Sequence, residues 1–239
     1  MRHLYWALSE VTCFGRPGIT DADRPSGWRA WIAGIAFLDG VLCWIVAAIL
    51  YNLFKVHIVG AVIVAIAICI WQNYLRMGKL SSGMTLLVRL MMRLCSVDET
   101  DQAWMVVARL LAMVLKPVLL IALLDMRKGG WLIPTAVLSM CVMLDMSGAV
   151  LKRRETHSWK AVAHWIVAAV VCLLMCFVGG VRFTLVSFVA VAAAFLLPPT
   201  VMRFSPFGEY NKQPLAKSLY LAFGELVMLL VGILGFALR

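Results

Sequence analysis

Seven blocks of this chain are apolar for longer than a water-soluble fold normally tolerates. They cover residues 31–53, 58–75, 103–124, 131–150, 161–179, 183–197 and 219–238. Crossing a bilayer takes about 20 consecutive apolar residues. In hydrocarbon the backbone must satisfy its own hydrogen bonds, so a block of this kind is a helix. Composition agrees: 63% of the 239 residues are hydrophobic and 14% are charged, where a soluble domain carries about 25% charged residues. The expected fold is all-α, a polytopic transmembrane helix bundle of about seven spans. The second and sixth blocks are the shorter ones, which brackets the count at six to eight.

The basic residues set an orientation. With seven spans, fifteen of the 22 Lys and Arg fall on the side of the N-terminus, among them Arg16, Arg76, Lys79, Arg89 and Lys152. Five fall opposite: Lys55, Arg127, Lys128, Arg182 and Arg239. Positive residues stay on the cytoplasmic side. The expectation is therefore a cytoplasmic N-terminus and an external C-terminus, in a multi-pass protein of the bacterial inner membrane. The net charge of +10 is then a topological signal and not a nucleic-acid surface. The first 30 residues lack the apolar core and small-residue site of a cleavable signal. The seven cysteines show neither metal-ligand spacing nor CxxC. Cys172 and Cys176 share a helix face and read as small apolar side chains. No disulfide is expected.

Residues 1–30 form a cytoplasmic leading segment with RPG and RPSG turns. Residues 31–239 form one transmembrane helical domain. Within it, MTLLVRLMMRLCS (84–96) is apolar except for Arg89 and Arg93. Their spacing of four puts both on one face, which predicts a helix in the membrane interface with the arginines toward headgroups. VDETDQ follows; Asp98, Glu99 and Asp101 suit a helix N-terminus, where acids oppose the dipole. Trp31, Trp71, Trp131 and Trp165 lie near span ends, as interface anchors do.

Five ionisable residues fall inside spans: Asp39, Arg109, Lys116, Asp145 and Glu225. Each costs about 2.5–3.5 kcal/mol at mid-span unless it faces protein, water or a partner. Arg109 and Lys116 are seven apart and share a face. All five fall in the cytoplasmic half of the predicted topology, and His164 lies nearby at shallow depth. One reading is a polar cavity open to the cytoplasm that binds an anionic phosphorylated ligand or lipid. The other is a set of structural ion pairs. Glu225, in FGELVMLL (223–230), is expected to be ionised and to face the interior within reach of Arg109 or Lys116.

The two ends of the chain resemble the cobalamin-5′-phosphate synthase family (adenosylcobinamide-GDP ribazoletransferase). WALSEVTCFGRPGI (6–19) is similar to the family's opening Thr-x-x-x-Arg-like motif and proline. AFGELVMLL (222–230) is similar to its acid-bearing last helix. The resemblance implies a polytopic membrane enzyme scaffold of cobalamin biosynthesis. The family's acidic loop, His-Leu-Asp-Gly-x-x-Asp-x-x-Asp-Gly, corresponds here to NYLRMGKLSSG (73–83). Leu75, Lys79 and Ser82 replace its aspartates and Asn73 its histidine, and residues 56–97 contain no Asp or Glu. Magnesium needs carboxylate oxygens, so this loop holds no metal.

The resulting expectation is a cobalamin synthase-like protein without catalysis, a binding or assembly subunit in a homo- or hetero-oligomer. No cofactor is expected. An active magnesium-dependent ribazoletransferase would need rebuilt acids, drawn from Asp98, Glu99, Asp101, Asp145 and Glu225. A small transporter or permease subunit is a third reading. Against it, the sequence shows no inverted repeat, and Lys116-Pro117 is its one candidate helix break.

Overall fold

A computed structural model describes residues 2–13, 27–53, 57–76, 79–94, 102–150, 159–201 and 216–238. Among the described residues the ordered elements are all helices. We number the helices α1 (Arg2–Val11), α2 (Trp28–Leu53), α3 (His57–Leu75), α4 (Lys79–Leu94), α5 (Gln102–Asp125), α6 (Leu132–Val150), α7 (Trp159–Val201) and α8 (Ala216–Ala237), with a 3-10 turn over Gly129–Trp131. Six of them, α2, α3, α5, α6, α7 and α8, contain stretches long and apolar enough to cross a membrane.

The bundle is built around α6. Its single acid is Asp145, and the rest of its surface is apolar or small and polar. A helix apolar on every side belongs in a protein core or in lipid, and α6 packs against α2, α7 and α8. The candidate span on α6 is 83% buried, whereas that on α7 is 22% buried, so α6 is the core and α7 the lipid-facing wall. Trp131, at the start of α6, is fully buried. Its Nε1 donates to the Met228 carbonyl on α8 at 2.9 Å, and its ring meets Phe183 and Phe236 edge-on. This differs from the interface position its place near a span end suggests. The indole hydrogen bond is satisfied inside the bundle, so the ring needs no headgroup.

α7 is 43 residues long and interrupted at Gly180 (φ 75°, ψ −173°). That conformation is open to glycine at little steric cost, and it divides the helix into arms over 159–179 and 181–201. Phe177, Val178, Val181 and Phe188 around the break are among the most exposed apolar side chains.

α4 packs along α8 and α5. Met84, Leu87, Val88 and Leu90 are buried, the spacing of one helical face. Arg89 is half-buried and Arg93 exposed. A Cβ at Gly83 would sit 2.0 Å from the Ser218 carbonyl oxygen, so glycine lets α4 lie directly on the start of α8. α4 runs antiparallel to α5: Ser81 and Met84 lie beside Ala112 and Lys116, and Arg89 Nη2 reaches the Met105 sulfur at 3.0 Å. α1 packs on α2 through Trp6 and Trp28, and the Cys13 amide donates to the Leu75 carbonyl at the end of α3. The acids of VDETDQ, most of KRRETHSWK (152–160) and residues 14–26 of the leading segment lie outside the described residues.

Candidate functional site: a buried ionic cluster beside a groove

Asp39 projects from α2 toward the end of α3. Its carboxylate accepts from Trp71 Nε1 (3.2 Å), Gln72 Nε2 (3.4 Å) and Arg76 Nη2 (3.0 Å). Gln72 and Arg76 are four apart and so present side chains to the same side. Gln72 also accepts from Lys116 Nζ through its Oε1. The amide thus links Asp39 to the lysine on α5.

Lys116 Nζ donates to Glu225 Oε1 on α8 at 2.7 Å. Arg76 Nη1 lies 3.6 Å from Glu225 Oε2, close enough to pair electrostatically and too far for a direct hydrogen bond. One arginine therefore faces both acids. Asp39, Arg76, Lys116 and Glu225 are each no more than 4% exposed. Two acids and two bases balance, and each buried charge has an opposite one beside it. Burial of charge on this scale is tolerable only with such pairing. The cluster knits α2, α3, α5 and α8 together.

Asp145 belongs to a second network. Its Oδ1 lies 2.9 Å from His164 Nε2, and its Oδ2 accepts from Trp165 Nε1 at 2.9 Å. This ties α6 to the first arm of α7. Among the described residues Asp145 makes no bond to the Asp39–Glu225 cluster. His164 is buried, and its Nδ1 has no hydrogen-bond partner.

Of the five sequence candidates, Asp39, Lys116 and Glu225 meet, Asp145 stands apart, and Arg109 is exposed on α5. The expected pairing of Glu225 is with Lys116 and not with Arg109. A seven-residue spacing fixes a shared helix face but not how far the neighbouring helices extend along it. At Lys116 that face meets α3 and α8; two turns earlier it is uncovered. Arg76 was missed, because it follows the last residue of a span and counts as a loop base. Its spacing from Gln72, in a stretch without any acid, is the signal that was available.

A groove of about 200 Å³ opens between α3, α4 and α5. Its walls are Cys69, Ile70 and Asn73 of α3, Ser81 and Met84 of α4, and Ala112, Met113, Lys116 and Pro117 of α5. Lys116 is common to the groove and the cluster. Pro117 has no N–H, so the Met113 carbonyl one turn back lacks its usual helical donor. Mostly apolar walls with a few polar atoms are the usual make-up of a small-molecule site.

The chain matches no family model, no curated protein and no solved structure.

Magnesium does not fit the cluster. The oxygens of Asp39 and Glu225 already face a guanidinium, an ammonium, an amide and an indole N–H, and a divalent cation there would stand against two fixed positive charges. Among the described residues no three His, Cys, Asp or Glu side chains gather as metal ligands.

Proposed function

We propose that the chain is a multi-pass protein of the bacterial inner membrane that acts as a binding or assembly subunit, without ribazole-transfer chemistry. The observation that carries this is Lys116. Its ammonium closes a neutral buried cluster, and the same residue is part of the groove wall. The cluster supports a scaffold role, since each of its acids is paired with a fixed cation. The groove supports a binding role. It lies along NYLRMGKLSSG, where the resemblance to cobalamin synthase places the catalytic acids, and Asn73 and Ser81 line it instead.

The seven-span reading rests on α7. A straight helix of 43 residues would be about 65 Å long at 1.5 Å per residue, about twice the hydrocarbon thickness. The break at Gly180 leaves two arms that each suit one crossing. The N-terminus is then cytoplasmic. Removing Arg76 from the loop bases, because it is buried, leaves the charge asymmetry intact.

Cys69 reports on the groove. In detergent-purified protein, its alkylation by N-ethylmaleimide is followed by mass spectrometry, with cobamide precursors or bacterial total lipid added. Protection of Cys69 by at least one addition is expected. Equal alkylation with and without every addition overturns the binding role. Magnesium-dependent ribazole transfer above an empty-membrane control overturns the non-catalytic reading.

A further inference from the structure

The binding role leaves open what the groove takes, and this inference rests on that role. Three observations narrow the occupant. The first is where the groove opens. Ile70 and Met113 on its rim are 65% and 68% exposed, and both belong to apolar helices of membrane-spanning length. In a bilayer such side chains face hydrocarbon, so the bilayer itself has direct access to the opening.

The second is charge. Asp39 and Glu225 balance Arg76 and Lys116. An anion placed against Lys116 would leave the buried site with a net negative charge in a poorly polarisable medium. A neutral acceptor adds none.

The third is the donor count. An ammonium has three N–H donors. Gln72 Oε1 and Glu225 Oε1 take two from Lys116, which leaves a third on a residue that lines the groove. Depth is consistent with an acceptor there. α3 ends at Leu75 and α4 begins at Lys79, with Asn73 and Ser81 on the groove wall, so the opening lies beside the polar end of a span.

We propose that the groove holds an acyl chain of a bilayer glycerolipid, and that the lipid's ester carbonyl accepts the third Lys116 N–H. The chain fills the apolar volume, and the carbonyl supplies an acceptor without charge. About 200 Å³ equals roughly seven waters at ~30 Å³ each, room for a segment of chain and not for a whole lipid. The headgroup stays outside and is not read.

The test compares lipids that differ in one atom type or one charge. The full-length protein is reconstituted with diester phosphatidylcholine, with the diether analogue of the same chains and headgroup, and with diester phosphatidylglycerol. Thermal unfolding is measured in each. Both diesters are expected to raise Tm equally, about 3 °C above the diether, the size of one hydrogen bond in a chain of this length. The ¹³C-labelled ester carbonyl of lipid retained through purification is expected to show a lowered infrared stretch. Ala112→Phe fills the groove from α5, and Met113→Trp covers it from the exposed rim. Each is expected to cut retained lipid about tenfold. Two variants guard against one failing to fold. Equal Tm in ester and ether lipid, stabilisation by phosphatidylglycerol alone, or unchanged lipid retention in both variants overturns the proposal. Protection of Cys69 by a cobamide precursor but not by glycerolipid sinks this inference and leaves the binding role standing. No protection by either sinks both.

Discussion

Lys116 and Glu225 are 109 residues apart in the chain, and their charged atoms lie 2.7 Å apart between α5 and α8. The glutamate interrupts an otherwise apolar helix because the lysine on another helix neutralises it. Without Lys116, Glu225 keeps only Arg76 Nη1 at 3.6 Å, beyond hydrogen-bond reach. Breaking a buried pair from one side strands the survivor, at a cost of about 3–5 kcal/mol. Removing both partners leaves no stranded charge. Glu225→Gln and Lys116→Gln are therefore each expected to destabilise the protein strongly, and the double variant by clearly less than the sum. A double-mutant cycle on unfolding in detergent measures this. Strict additivity would mean the two are not coupled.

Arg76 is expected to tolerate no cationic substitute. Its fork places Nη2 on Asp39 at 3.0 Å and Nη1 at 3.6 Å from Glu225. A lysine is a point charge on a flexible stem and does not reproduce two directions at once. Arg76→Lys is expected to lose most of the stability lost in Arg76→Gln, about 3 kcal/mol or more for a buried network. The check is chemical unfolding of both variants beside wild type. Full rescue by lysine would show that only the charge matters.

Topology carries its own expectation. Reporter fusions after Gly129 and after Gly180 are expected outside, and a fusion after Lys160 inside. Gly180 decides between one long helix and two crossings, since it divides α7. A cytoplasmic signal at Gly180 would reduce the span count. Matching signals at Gly129 and Lys160 would overturn the orientation.

The helices themselves were legible because hydrocarbon permits little else. Unbroken apolar sequence of bilayer length leaves one way to satisfy the backbone, and α2, α3, α5, α6 and α8 fall close to where the apolar blocks lie. The site was legible in part. Asp39, Lys116 and Glu225 stand out because a charge in an apolar run needs a reason. Arg76 does not stand out, since one residue past a span nothing in the sequence separates a loop base from a buried one. Arg109 stands out and is exposed, because periodicity describes a helix's own faces and not its neighbours. Trp131 misled for the same reason: position near a span end says nothing about whether α8 offers a carbonyl. The groove was not legible at all. It arises where α3 ends, α4 turns back along α5 and Pro117 interrupts the backbone ladder, a coincidence of three helices.

Gly83 tests whether the approach of α4 to α8 shapes that groove. A Cβ there would lie 2.0 Å from the Ser218 carbonyl oxygen. Backbone on a packed helix does not yield as a side-chain tip does, so α4 must move away from α8. Ser81 and Met84 move with it, and both line the groove. Gly83→Ala is therefore expected to lower stability by about 1–3 kcal/mol, the range for overpacking a well-packed site. It is also expected to change the rate of Cys69 alkylation, because α4 forms the wall opposite α3. Gly34→Ala is the control. It lies in α2 with nothing within 4 Å of the added carbon, and alanine favours a helix over glycine by about 1 kcal/mol. Gly34→Ala should leave stability unchanged or slightly raised and leave Cys69 alkylation as in wild type. Parallel unfolding and alkylation of the two variants reads both effects. A neutral Gly83→Ala would mean that α4 and α8 do not meet as closely as Gly83 and Ser218 place them.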